Sequence, residues 1–489
     1  PTLHGRLRPW SVDELAKIHR ASLGILEKTG VYVGSERVLD YLEQTEARVD
    51  RDTGTVRFPA DLVERQMREA DGSWDRRAAQ PGTFSVSADC GSDTIWDHPN
   101  RCARPCGPSD LANVARLVEA MEHIDEAGNL VFGKDVPAAL QDMIAYRHMW
   151  RHTRKKGGGG LGRTPSCMRI CSPRIFDGLC DMLAVKIGRE RMRTQPEFSF
   201  FMGAASPLRF GQDVLDLARH AIERGQVIGI GGNCVCGIQS PITPASNIAV
   251  DHAERLAGLC IVTAIDPHAR FYFCNHTYFL DLQSGDVASG APEQTLQSLL
   301  GQQLLRHCGF QLQVNHPILD SGSHCPDAQV AAEHMMYMLL TALGGARGIG
   351  GAGQLKEVFC CEQLLIDNEI AGYVKHLIRG ADIDDRTIAA ESINDIGIGG
   401  DFLISEPTLE FMRDCYYAPQ LFCRKRMSEW LRDGARNLVE RARDRVDDIL
   451  SSDTPTFLSA EQLGAIDDII RQTAADMCPD WNVNPYLDR

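Results

Sequence analysis

Three stretches of this chain concentrate side chains able to orient a ligand, move a proton or hold a metal. Asn233, Cys234 and Cys236 follow the run VIGIGG; Asn275, His276, Tyr278 and Asp281 follow RFYFC; and Asn315, His316, Asp320, His324 and Cys325 follow QLQV. Imidazoles titrate near neutral pH and both donate and accept hydrogen bonds. His276, His316 and His324 are therefore the candidate catalytic residues, with Asn275, Asn315 and Asp281 beside them as polar contacts. Read by donor type, Cys234, Cys236, His276, His316, His324 and Cys325 are all possible zinc ligands, but their spacing matches no zinc motif. The expectation is no metal, with zinc at these residues as the alternative. Aromatic side chains lie in the same stretches: Phe198, Phe200 and Phe201, then Phe271, Tyr272, Phe273, Tyr278 and Phe279. Strand alternation turns some of these rings inward, and a ring face within about 6 Å of a quaternary ammonium attracts it by cation–π interaction.

These residues need elements that bring them to one place. Strands are expected at Asn129 to Gly133, Gly157 to Gly162, Glu197 to Gly203, Val227 to Gly232, Arg270 to Cys274, Gln311 to His316 and Arg347 to Gly351, with a weak eighth near Ile396. Amphipathic helices separate them. Eight such units suggest a barrel, in which reacting groups gather where strands run into loops at the C-terminal face. An open doubly wound sheet would also alternate βα units, but no dinucleotide fingerprint with a following acidic ribose ligand is present. The run GGGGLGRT from Gly157 to Thr164 has the spacing of a phosphate-binding loop. It follows a charged helix rather than a hydrophobic strand and carries arginine where a compact lysine is needed, so nucleotide binding is not expected.

Ahead of the strands, Ser11 and Glu14 form a capping box, Leu15, Ile18, Ser22 and Ile25 share a helical stripe, and Gly30 ends the helix. Further helices follow Arg37 and Pro59, Thr83 to Asp97 alternates like a hairpin around Gly91, and Pro108 with Ser109 opens another helix. After Pro407 the chain returns to helix, and Ser459 with Gln462 caps a last one. The expected organisation is an α/β protein: an N-terminal helical cap with a hairpin over residues 1–125, a TIM-like (β/α)8 barrel over 126–405, and a C-terminal helical extension over 406–489.

A net charge of −15 argues against nucleic-acid binding, which needs clustered cations. The run Arg151 to Lys156 reads as a solvated helix end. No apolar run approaches the roughly 18 residues needed to span a bilayer. PTLHGRLRPW lacks the apolar core of an export signal. Seventeen cysteines, an odd number without framework spacing, are expected to be reduced thiols, which fits a cytoplasmic protein.

Three segments carry a resemblance. LGGARGIGGAGQLKEVFCCEQLLIDNEIA, from Leu343 to Ala371, joins a small-residue strand to a helix with an unusual acidic and amide pattern. YFLDLQSGDVASGAPE runs from Tyr278 to Glu293, and SGSHCPDAQ from Ser321 to Gln329. In this order they resemble the corrinoid-dependent trimethylamine methyltransferase family. HRASLGILEKTGV, from His19, and PQLFCRKRMSEWLRDG, from Pro419, are similar to its opening and closing helices. Where the family's pattern has a histidine before that closing helix, this chain has Ser405, Glu406 and Pro407, so that residue's role does not carry over.

The resemblance implies a barrel. The family's trimethylamine members use pyrrolysine near the SGSHCPDAQ segment, whereas every residue here is standard. The chain is therefore similar to the non-pyrrolysine branch, whose known members demethylate quaternary amines such as glycine betaine. A quaternary ammonium leaves as a neutral amine and needs no general acid. The implied reaction is methyl transfer to the Co(I) of a corrinoid (cobalamin) carried by a partner corrinoid protein, none being bound tightly by this chain. Phe201, Tyr272 and Tyr278 are then expected at the cation, the three histidines at the substrate's polar end, and Arg163 or Arg209 at a betaine carboxylate. The helical extensions at both ends suit a homo-oligomer interface.

Overall fold

A computed structural model describes residues 2–70, 83–88, 90–128, 130–155, 160–161, 172–194, 199–274, 276–310 and 318–487. Helix α1 (Val12–Lys28) starts at a reciprocal Ser11/Glu14 capping box and buries Leu15, Ser22, Leu23 and Leu26. Gly30 follows it with φ +78°, and an added Cβ there would strike the Val56 carbonyl. A small sheet then forms from Val31–Val33, Thr55–Arg57 and Arg48–Asp50, with Arg209–Phe210 added in parallel on its edge. Helix α2 (Ala60–Glu69) closes this region.

Seven short strands are parallel and lie in two sheets. In one, β1 (Ser85–Ala88) sits between β2 (Glu126–Ala127) and the last strand, β7 (Gly348–Ile349). The other has β3 (Gly160–Leu161), β4 (Ser199–Ala204), β5 (Val227–Gly232) and β6 (Phe271–Phe273) in sequence order. Two sequence expectations are corrected. Thr83 to Asp97 is not a hairpin, because β1 pairs in parallel with distant strands while Thr94–Asp97 pairs with Cys102–Pro105. Its alternating serines imitate a half-solvated strand, yet Val86, Ser87 and Ala88 are all buried. The region of Ile396 is helix, Ala390–Ile396, and supplies no strand. The strand expected at Asn129 begins earlier, at Glu126, and Val131 makes a single parallel bridge to Ser92. The strand expected at Gln311 to His316, and most of the Gly157 to Thr164 run, lie outside the described residues.

Helices α3 (Gln141–His152), α4 (Pro244–Ile265), α5 (Pro292–His307), α6 (Ala328–Gly344), α7 (Cys361–Arg379) and α8 (Ala460–Met477) supply most of the cover used below. Buried nearly all round, α4 sits so close to β5 that a Cβ on Gly258 would lie 2.4 Å from Ile230. α8 begins at its Ser459/Gln462 capping box. The acidic and amide pattern of α7 is spent on neighbouring segments. Asn368 accepts from the His123 amide, Glu369 from those of Gln420 and Leu421, and Asp367 from that of Gly353. Those three buried side chains thus fasten loops rather than face water, and buried Glu362 pairs with Arg443 of the helix Leu438–Ser451. No described helix is long and apolar enough to cross a membrane.

Candidate active site

Strand register builds the floor of the site. Phe201 of β4 lies opposite Gly229 of β5, and Gly229 lies opposite Tyr272 of β6. The alternate residues Phe200, Met202, Ile228, Ile230, Phe271 and Phe273 join the main core under the helices, whereas Phe201, Val227, Tyr272 and Cys274 form a separate buried cluster on the other face. Period-two alternation explains the split. Between the two aromatics, β5 offers only Gly229 and Gly231. A Cβ on Gly229 would lie 2.8 Å from the Tyr272 hydroxyl, and one on Gly231 would lie 3.0 Å from Cys274 Cβ and 3.3 Å from the Phe201 ring. Both rings lean over backbone that has no side chain. Tyr272 is fixed by a 2.7 Å hydrogen bond between its hydroxyl and that of Ser199. His276, just past β6 and buried, has its ring centroid 5.9 Å from that of Phe201.

The loops above this floor are held from behind. Glu254 of α4 is buried and accepts hydrogen bonds from the Ser206 hydroxyl (2.8 Å) and the Leu208 amide (2.7 Å), fixing the turn after β4. Gln297 of α5 donates to the Tyr278 carbonyl at 3.3 Å. One turn earlier on the same helix, Gln294 approaches Asp320 at 3.5 Å, and Gln354 donates to the other Asp320 oxygen at 2.9 Å. Loss of solvent pushes the Asp320 carboxyl up to about 6. Behind Gln354, the Asp367 carboxylate takes the Gly353 amide on one oxygen (2.7 Å) and His334 Nδ1 (2.8 Å) and the Gln363 amide (2.8 Å) on the other. Asp320 follows the parallel bridge of Ile318 to Gly350, so it stands at the end of the sheet where strands finish.

Phe201, Tyr272 and His276 are thus brought together. Tyr278 follows in a short strand, Thr277–Phe279, parallel to Cys234–Cys236. His324 is exposed, on a loop that Glu333 fastens by accepting from the Ser321 hydroxyl (2.6 Å) and the Gly322 amide (3.0 Å). Asp281 caps its own loop, accepting from the amides of Gln283 and Ser284, which hold its carboxyl below the usual range. Arg209 is exposed in the N-terminal sheet, its guanidinium 4.4 Å from the Tyr32 ring centroid. Asn275, Asn315, His316 and Arg163 lie outside the described residues. Cys234 and Cys236 are thiols raised above the ordinary range, chiefly by burial. Sequence reading passed over Gly229, Gln294, Gln354 and Asp367. The glycine alternation in VIGIGG was the available signal for the first, whereas the others declare themselves only through partners distant in the chain.

The chain matches the family model for trimethylamine methyltransferase over residues 3–478. It is 26% identical over 477 residues to the trimethylamine methyltransferase of Methanosarcina barkeri (strain Fusaro), covering 94% of this chain and 93% of that one. With the trimethylamine methyltransferase of Desulfitobacterium hafniense (strain DCB-2) it shares 27% identity, covering 96% and 94%. A glycine betaine methyltransferase of Desulfitobacterium hafniense (strain Y51) is 23% identical, covering 92% and 93%. The crystal structure of the Methanosarcina barkeri monomethylamine methyltransferase aligns with a TM-score of 0.47 at 11% identity, covering 96% of this chain and 88% of that one. With the family match spanning almost the whole length, the chain belongs to the trimethylamine methyltransferase family.

Proposed function

We propose that this chain is a methyltransferase that moves a methyl group from a betaine-like quaternary amine to the corrinoid of a partner protein. The observation that carries the substrate class is the row Phe201, Gly229, Tyr272: two aromatic rings over a floor without side chains, close to His276. Aromatic faces attract a desolvated quaternary ammonium by about 2 kcal/mol or more. The corrinoid would supply a reduced cobalt nucleophile, while the glycines at 229 and 231 let the Tyr272 and Phe201 rings lie directly against β5. The chain's own part is to orient the cation and keep water from it, which is the main source of rate in such a displacement. Phe201 and Tyr272 hold the cation, Tyr278 walls the site, and His276 and His316 orient the polar end with Asn275 and Asn315. His324, on its exposed loop, meets the arriving partner and substrate. Asp281 shapes the loop, Arg163 is the candidate for a substrate carboxylate, and Arg209 is assigned to packing on Tyr32.

The two parallel sheets are read as arcs of one eight-stranded barrel. The pairing of β7 with β1, the last with the first, supports closure, as does the bridge from Ile318 to Gly350 after the 311–317 stretch. On this reading the cap of residues 1–125 lends β1 to the barrel of 126–405, and 406–489 is the extension. A cytoplasmic setting agrees with free thiols at Cys106, Cys180, Cys234, Cys236 and Cys360. Exposed Ile383, Ile398, Leu403, Ile404 and Leu409 support a homo-oligomer.

The test is conversion of reduced cobalamin to its methylated form, followed by absorbance under anaerobic conditions, with betaines, choline, carnitine and trimethylamine. Turnover with a quaternary amine and none with trimethylamine is expected. Turnover with trimethylamine alone would overturn the substrate class.

Two further results are expected. Gly229→Ala forces the Tyr272 hydroxyl aside and breaks its bond to Ser199, so kcat/KM falls about tenfold, equivalent to about 1.4 kcal/mol, with an unchanged circular dichroism spectrum. Because burial raises the Asp320 carboxyl to about 6, it is neutral at pH 5 and charged at pH 7. Quaternary amine affinity, read by calorimetry, therefore rises as pH climbs through about 6, and Asp320→Asn flattens that dependence. Stability runs the other way, since a raised carboxyl favours the fold below the ordinary 3.8 and loses that contribution as pH rises through about 6.

A further inference from the structure

We infer that His19, His252 and Cys308 form a structural site for a zinc-class divalent cation that ties the first helix of the chain to α4 and α5. Their three ligand atoms converge from distant parts of the sequence. His19 Nδ1 and His252 Nε2 are 3.0 Å apart, and Cys308 Sγ lies 3.6 Å from the first and 3.7 Å from the second. With tetrahedral zinc–nitrogen bonds of about 2.0–2.1 Å and a zinc–sulfur bond of about 2.3 Å, nitrogens sit roughly 3.3 Å apart and nitrogen and sulfur roughly 3.6 Å apart. The observed triangle needs a few tenths of an ångström of movement to close on an ion. Among the described residues this is the one group of three or more His, Cys, Asp or Glu whose ligand atoms lie so close together.

The surroundings suit such an ion. Leu15, Ile248, Leu300 and Leu304 form a buried apolar cluster there, with Trp10, Ile18 and Cys308 packed against it. His252 is fully buried and His19 half-buried; burial pushes both imidazoles down, so they are neutral and keep lone pairs for a metal. Burial pushes the Cys308 thiol up to about 12, so an ion that binds must displace its proton, as thiolate ligation requires. Two imidazoles and one thiolate select a zinc-class ion over magnesium or calcium and leave one positive charge. Glu64 of α2 contributes negative charge near both His19 and Cys308, which favours a cation there. Arg20, Arg255 and His307 face the cluster with the opposite sign.

The site is separate from the candidate active site. Cys308 follows the C-terminal end of α5, whereas Gln294, which approaches Asp320, sits in that helix's first turn, roughly 20 Å away at about 1.5 Å per residue. The role is a staple between helices, and it does not depend on the methyl-transfer reading.

The test loads chelator-treated full-length protein with Co2+ and records its visible and near-ultraviolet spectrum. One equivalent of tetrahedral Co2+ with a thiolate charge-transfer band is expected, together with a raised Tm. Cys308→Ser, nearly isosteric, should keep the circular dichroism of the parent, lose the band and weaken Co2+ binding by about a hundredfold or more. Cys234→Ser and Cys325→Ser should keep the band. Folded protein without the band overturns the proposal in favour of a metal-free hydrogen-bonded triad. A band that survives Cys308→Ser but is lost in Cys234→Ser overturns it in favour of a metal at the candidate active site.

Discussion

Asp367→Ala is expected to lower both stability and turnover more than any other single change in α7. The carboxylate is fully buried and accepts from His334, the Gln363 side chain and the Gly353 amide. Truncation leaves these donors without their acceptor in a place water does not reach, and each orphaned group costs about 1–3 kcal/mol. A total of roughly 3–5 kcal/mol follows once partial relaxation is allowed, measurable as a shift of the urea midpoint. The functional loss travels through the backbone. Gly353, at φ +89°, precedes Gln354, which donates to Asp320. If that loop shifts by about 1 Å, turnover falls on the order of a hundredfold. Gln354→Ala separates the two effects, because it leaves the Asp367 contacts whole. It should lower stability by only about 1–3 kcal/mol, the cost of one orphaned Asp320 oxygen, while losing most of the turnover. A Gln354→Ala enzyme with parental kinetics would remove this chain of contacts from the account.

The second large effect is expected at the buried ion pair of Arg147 and Asp467. Arg147 of α3 is wholly buried and grips Asp467 of α8 with two hydrogen bonds, 2.6 Å and 3.0 Å, while also donating to the Leu487 carbonyl. This joins α3 to α8 across 320 residues of chain. Asp467→Ala removes the carboxylate that balances a buried guanidinium, at a cost of about 3–5 kcal/mol. An exposed pair such as Arg174 with Asp476, joining neighbouring segments, contributes about 1 kcal/mol or less. Thermal unfolding should therefore rank Asp467→Ala far below Arg174→Ala. Replacing Arg147 and Asp467 together by methionine and leucine should recover most of the loss, since an apolar pair of similar volume needs no charge compensation. Equal melting of Asp467→Ala and Arg174→Ala would show that Arg147 finds another partner.

The sequence by itself determined what depends on neighbours along the chain. The Ser11 and Ser459 capping boxes join residues three apart, so both helix starts were legible, as was β5 from its alternating VIGIGG pattern. Period-two alternation said that some of the strand aromatics share a face, but that Phe201 and Tyr272 lie together apart from Phe200, Phe271 and Phe273 came from the strand pairing. The three family-like segments were legible because each is a continuous run, and they led to the right family. Tertiary structure decided the rest. Ser85–Ala88 alternates small polar and apolar residues as a solvated hairpin would, and only its place between the distant strands Glu126–Ala127 and Gly348–Ile349 puts Val86, Ser87 and Ala88 in the interior. Asp367, Glu254 and Arg147 look like the charged faces of solvated helices until the segments that bury them are known. His19, His252 and Cys308 are 233 and 56 residues apart, and no local pattern links them. Charged and metal-binding groups reveal their chemistry through what surrounds them, and for these residues the surroundings come from elsewhere in the chain.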